Sequence, residues 1–192
     1  MKIENFIDIH TRQELRSWYE DNAATASCVC LPISNPEHRE YVLGLDAVEE
    51  ALCFGWVDNI GQKDADGRLI ARFAPRKPNS NWTELNKERV RRLEKLGLMT
   101  DAGRVVLPDM EVSHFAIPEE ILDALQADPA VYAKFQTFPA LYQRVRVDTI
   151  QYALTVLRKP DVYRKRLDKF IEQTAKGKMY GEWNDKGRLV DY

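Results

Sequence analysis

The sequence predicts an α+β fold: a small antiparallel sheet with covering helices, followed by an all-helical C-terminal module. Three observations predict it. Residues 1–115 alternate short apolar runs with capped helical stretches. Within them, two β-type segments flank the turn sequence Lys63-Asp64-Ala65-Asp66-Gly67, a hairpin pattern. From Pro118 the texture changes. Pro118, Pro129, Pro139 and Pro160 each precede helix-favouring runs, and proline suits a first helical turn. The expected boundaries are 1–115 for the α+β core, 116–177 for the helical module and 178–192 for a tail.

Each element has a local reason. Residues 3–9 read as a short strand or lead-in. Thr11 with Glu14 forms a capping box that opens a helix to about Asp21, burying Leu15, Trp18 and Tyr19, and Asn22 closes it. Residues 28–33 read as a strand, Ser34-Asn35-Pro36 as a turn and 41–43 as a further strand. Asp46 with Glu49 predicts a second capping box and a helix over 47–54. Gly55 can take its left-handed end. This helix is apolar over much of its surface, which predicts burial. Trp56, Val57 and Ile60 begin one hairpin strand, and 69–73 forms the other. Leu69, Ala71 and Phe73 lie on one side of it, with Arg68, Ile70 and Arg72 on the other. About four short strands result, enough for an independent sheet. Pro75 and Pro78 hold the next loop extended. Asn81 with Glu84 predicts a third capping box and a helix over 82–96, with Trp82, Leu85, Val90, Leu93 and Leu96 as its stripe, ended by Gly97. Thr100 caps a short helix before Pro108, and 108–117 reads as a covering loop. Helices follow over 118–126, 129–137, 139–157 and 160–176. Val147, Ile150, Leu154 and Leu157 form one stripe; Tyr163, Leu167, Phe170 and Ile171 form another. Tyr180 and Trp183 argue that the tail packs.

Composition narrows the function classes. At 44% hydrophobic and 30% charged, the 192 residues suit an ordinary globular protein, and a net charge of −2 argues against nucleic-acid coating. The charge is unevenly distributed. Residues 1–66 hold thirteen acidic and five basic side chains, whereas 67–96 hold three and nine, so a positive patch falls on the loop and long helix. No apolar run approaches the roughly 18 residues of a membrane span, and Met1-Lys2-Ile3-Glu4-Asn5 does not read as a signal peptide. Three cysteines without disulfide spacing point to a reducing, cytoplasmic setting.

One constellation stands out as a candidate anion site: Trp56, Asp58, Arg72, Arg76, Lys77, Ser80, Asn81, Trp82, Asn86 and Arg89. Ser80 and Asn81 fall at a predicted helix N-terminus, where free N–H groups and the dipole attract anions. Arg76 and Lys77 lie beside that end, with Asn86 and Arg89 within two turns. A bland alternative competes: Ser80 and Asn81 only cap, Trp82 only packs, and Arg72 only pairs with Asp58 across the hairpin. Cys28, Cys30 and Cys53 lack a fourth metal ligand and read as buried thiols. His10, His38 and His114 stand apart without ligand spacing. The run 158–169 holds six cations and two acids, which suits a solvated helix face or an anionic contact. No phosphate loop, nucleophile elbow or Ser/His/Asp pattern is present, so no catalytic residue, cofactor or metal is expected.

Glu49-Glu50-Ala51-Leu52-Cys53-Phe54-Gly55-Trp56-Val57-Asp58 and Arg72-Phe73-Ala74-Pro75-Arg76-Lys77-Pro78-Asn79-Ser80-Asn81-Trp82 resemble the signature of the YdeI/OmpD-associated family, the bacteriocin-protection proteins. Asn86, Arg89, Leu93, Gly97, Met99, Thr100 and Gly103 continue the likeness. Arg158-Lys159-Pro160, Arg164, Arg166 and Lys169 resemble the marker of the family's helical C-terminal module, with Tyr163 where a threonine is usual. A fainter likeness is to the YjbR/frataxin-type sandwich. Glu14, Glu20 and Asp21 are too sparse for an iron-binding ridge of that type. The resemblance implies a non-enzymatic cytoplasmic binding protein linked to protection against bacteriocins or antimicrobial peptides. Its partner would be a small anionic ligand or an acidic peptide, without membrane insertion. Two alternatives are an enzyme acting on a phosphorylated or carboxylated small molecule and a nucleic-acid-associated protein using the two basic stretches.

Overall fold

A computed structural model describes residues 3–35, 40–190 and 192. His38 and Pro36 of the readings above, with Met1 and Lys2, lie outside them. The chain divides into two compact units, Met1–Ser80 with Arg89–Pro108, and Asn81–Glu88 with Asp109–Tyr192.

The first unit contains helices α1 (Arg12–Asn22) and α2 (Gly44–Cys53), strands β1 (Val29–Pro32), β2 (Trp56–Lys63) and β3 (Leu69–Pro75), and later the short helix α4 (Asp101–Val105). Between β3 and α4 runs α3 (Glu84–Lys95), whose first residues belong to the second unit. The fold class is α+β as expected, with an antiparallel sheet ordered β1-β3-β2. The strands expected at 3–9 and 41–43 are reduced to single parallel bridges, Phe6 to Cys30 and Ser34 to Leu43.

The capping box at Thr11 and Glu14 forms as predicted. The one expected at Asp46 does not. Helix α2 begins three residues earlier, at Gly44, with no side-chain cap. Leu43 is bridged to Ser34, and the Gly44 N–H donates to the Ser34 carbonyl at 3.0 Å, so the backbone already satisfies an orphan donor. Asp46 turns instead towards Arg12, 3.6 Å away. The prediction that α2 is buried holds for Ala47 and for residues 49–53.

Gly55 and Gly97 take the left-handed conformation at φ 75° and 69°. Thr100 caps α4 and also donates its hydroxyl to the Cys53 carbonyl at 2.6 Å. That contact draws α4 onto the end of α2 so closely that a Cβ on Gly103 would stand 2.2 Å from the Cys53 oxygen. Gly103→Ala is therefore expected to cost about 1–3 kcal/mol despite alanine's better helix propensity. A urea midpoint no lower than that of the parent would contradict this close approach.

The second unit is helical: α5 (Glu119–Gln126), α6 (Pro129–Thr137), α7 (Ala140–Thr155) and α8 (Pro160–Ala175). Ile121, Leu125, Phe135, Tyr142, Ile150 and Phe170 are among the side chains of one core. The tail packs on this core, with Trp183 edge-on to Tyr142 at 5.6 Å and Leu189 buried.

Candidate functional site

The residues of the predicted anion site fall in both units. In the first, Trp56 is 1% exposed and meets Tyr19 and Trp18 edge-on at 5.3 and 5.9 Å, so it is core and not a ligand platform. Asp58 is exposed on β2. The expected Asp58–Arg72 staple is out of register: Asp58 stands opposite Phe73, and Arg72 opposite Asn59. A shift of one residue sends the two side chains to opposite faces. The charge that Asp58 does influence is that of Arg76, just beyond β3. Arg76 is only 6% exposed. Burial lowers its pKa, and the attraction of Asp58 only partly offsets this. The Arg76 N–H donates to Gly55 at 2.9 Å, which fixes the loop. Lys77 is exposed, and its carbonyl accepts from the Ser80 N–H and hydroxyl at 3.1 and 2.6 Å. Ser80 therefore closes a turn and does not cap a helix. Arg89 is half-buried on α3.

In the second unit, Asn81 and Trp82 precede the helix. The expected start at Trp82 moves to Glu84, and the cap moves to Thr83, whose hydroxyl accepts from the Asn86 N–H at 3.2 Å. The Glu84 N–H is also taken, by the Asp148 carboxylate of α7 at 3.1 Å. This N-terminus thus holds an anion from its own chain. Asp148 has its carboxyl pushed up to about 6, chiefly by burial. The Glu84 N–H and Lys87 oppose the rise, and the Glu84 charge adds to it. Arg144 completes the cluster, 3.3 Å from Glu84 and 2.9 Å from Glu88.

A second polar cluster, in the first unit, escaped the sequence reading. Glu49 and Glu50 on α2 are 0% and 1% exposed. Arg12 reaches both at 2.6 Å, Arg16 reaches Glu50 at 3.0 Å, and Arg92 reaches Glu49 at 3.0 Å. Adjacent carboxylates in an otherwise apolar helix, with arginines four apart on another, were the signal.

The chemistry available near this cluster is limited. Cys28, Cys30 and Cys53 are buried free thiols. Burial, then Glu50, pushes the Cys53 thiol up to about 12 against Arg16 and Arg12, so it stays protonated at neutral pH and is a poor nucleophile. His10 is raised by the Glu40 carbonyl and His114 by Asp109, and both are exposed. Among the described residues no group of three His, Cys, Asp or Glu side chains could hold a metal. Among the same residues no helix is long and apolar enough to cross a membrane.

Residues 7–106 match the family model described as a domain of unknown function (DUF8412). Residues 114–177 match the model described as bacteriocin-protection, YdeI or OmpD-associated. The sequence blocks at 49–58 and 72–82 fall in the first match, and the basic helical marker at 158–169 falls in the second. No curated protein and no solved structure matches the chain, so the frataxin-type likeness gains no support.

Proposed function

The chain belongs to the family of the domain of unknown function matched over residues 7–106 and carries a bacteriocin-protection, YdeI or OmpD-associated domain over residues 114–177, and we propose that it is a non-enzymatic binding protein for a small anion or an acidic peptide. The cationic edge where β3 runs into the proline loop takes that ligand, through Arg72, Arg76 and Lys77. One observation carries the reading. Arg76 and Lys77 stand side by side where β3 ends, one buried and fixed in place and one open to solvent. A guanidinium already held in place binds an anion through charge-assisted hydrogen bonds at lower entropic cost. Lys77, exposed beside it, draws the anion in. The reading extends to a cytoplasmic location, supported by three free thiols. It extends also to a protective role of the kind the family description names.

Thermal unfolding in the presence of phosphate, sulfate and an acidic peptide tests it. An anion at tenfold its Kd stabilises by about 1.4 kcal/mol, a rise of about 3–6 °C in Tm for a chain of this size. Arg76→Ala and Lys77→Ala should each shrink that rise. A rise that survives both substitutions, or no rise with any anion, sinks the reading.

A further inference from the structure

Packing of α8 beside α7 leaves a cleft of about 330 Å³ that nothing above uses. On α8, Val162, Lys165, Arg166 and Lys169 fall at i, i+3, i+4 and i+7 and line it as one face. The other face of α8 places Tyr163, Leu167 and Phe170 in the core. Half of the basic run at 158–169 therefore lines a cavity and is not merely a solvated surface. From α7 comes Arg146, and from the tail Tyr180.

Arg146 is the unusual member. It is 8% exposed, and its Nε has no hydrogen-bond partner among the described residues. One terminal nitrogen donates to the Glu182 carbonyl, and the guanidinium lies 5.5 Å from the Tyr180 ring centre. The tail reaches it only because residue 181 is glycine: at φ 69°, a Cβ there would stand 2.6 Å from Arg146 Nη1. Lys169 approaches the same ring at 5.0 Å, and Arg166 donates to the Thr149 carbonyl at 2.6 Å. Four cations thus line the cleft with no carboxylate among its lining residues. Glu172, one turn beyond Lys169, has its carboxyl lowered chiefly by Lys176 and in smaller part by Lys169.

A smaller cavity of about 200 Å³ shares Arg146, Thr149 and Arg166 with the first. Its character differs, because Asp148, Glu182, Thr83 and Tyr152 line it. Such groups repel a second anion and suit hydroxyl or amino groups.

We propose that the paired cavities bind a small phosphorylated molecule bearing hydroxyl groups, a sugar phosphate in chemical class. The phosphate lies among Arg146, Lys165, Arg166 and Lys169, and the hydroxyls face Asp148 and Glu182. A dianion suits four cations better than a monocarboxylate does, and guanidinium groups match phosphate oxygens in geometry. This site lies wholly in the second unit and does not depend on the hairpin reading.

Isothermal titration calorimetry of the full chain with glucose 6-phosphate, inorganic phosphate and glucose tests it, at about 0.15 M salt so that loose surface attraction is screened. Saturable binding is expected for glucose 6-phosphate, weaker binding for phosphate, and none for glucose. Lys165 and Lys169 are exposed, so the variant Lys165→Ala/Lys169→Ala should keep its circular dichroism spectrum while losing about tenfold or more in affinity. Lys159→Ala, on the same basic run but outside the cleft lining, should bind glucose 6-phosphate like the parent. No heat with either phosphate, or affinity unchanged in the double variant, overturns the site. Equal affinity for glucose 6-phosphate and inorganic phosphate overturns the assigned ligand class.

Discussion

Replacing Glu50 by alanine is expected to destabilise the first unit by about 3–4 kcal/mol. Glu50 is sealed on α2, and its two oxygens accept from Arg12 Nε at 2.6 Å and Arg16 Nη1 at 3.0 Å. Removing one partner of a buried pair leaves the other charge poorly solvated. Here two arginines lose a partner at once, although Arg12 keeps Glu49 and Arg16 keeps the Leu98 carbonyl. Those remaining contacts, and the partial exposure of both guanidinium groups, hold the figure near the lower end of the range for such deletions. Against a total stability of about 5–15 kcal/mol the loss is large. Urea unfolding reads it directly. Glu50→Gln, which keeps the shape and one acceptor oxygen, should lose less. In a double-mutant cycle, Glu50→Ala and Arg16→Ala should couple by at least about 1 kcal/mol, since residues in one network are not additive. A Glu50→Ala loss below 1 kcal/mol would mean that water already screens this cluster.

How far the sequence foretells this molecule depends on the range of the interaction involved. Local signals read well. Thr11 with Glu14, Gly55, Gly97, Thr100 and the Asp64–Gly67 turn all act within a few residues, and each takes the geometry its chemistry dictates. The proline-led helices from Pro118 onward lie within two residues of their predicted bounds for the same reason. Long-range partners read poorly. Asp46 and Asn81 have good capping chemistry, but other groups take the orphan donors: the Ser34 carbonyl accepts from Gly44, and at the start of α3 Thr83 accepts from Asn86 while Asp148, 64 positions away, accepts from Glu84. The Asp58–Arg72 pairing failed because one residue of register separates plausible from actual contact. Local spacing assigns Glu49 to a cap, because a cap lies within reach along the chain, whereas Arg12 and Arg92 meet it only after folding. Arg146 gave no sequence signal. Its importance comes from burial and from the glycine that lets the tail close over it.

Asp148→Asn is expected to stabilise the second unit above pH 6, and to have little effect near pH 4. In the folded chain burial pushes the Asp148 carboxyl up to about 6 from an ordinary 3.8, so the folded state holds a proton that the unfolded state has already released between those values. Stability therefore falls as pH rises through that window and is flat above it. A shift of about two units corresponds to about 3 kcal/mol. Asparagine offers the Glu84 N–H a neutral oxygen acceptor, removes the charge that burial penalises, and relieves repulsion from the Glu84 carboxylate. Two attractions oppose the gain: Lys87 favours the charged form of Asp148, and so does the N-terminal dipole of α3. Burial stands first among the causes of the shift, so desolvation should win. Urea unfolding of both proteins at pH 4 and pH 8 measures the difference, and subtracting parent from variant cancels the carboxylates and histidines they share. A variant less stable than its parent at pH 8 would show that the helix dipole and Lys87 outweigh desolvation, and that this carboxylate holds α3 in place as an anion.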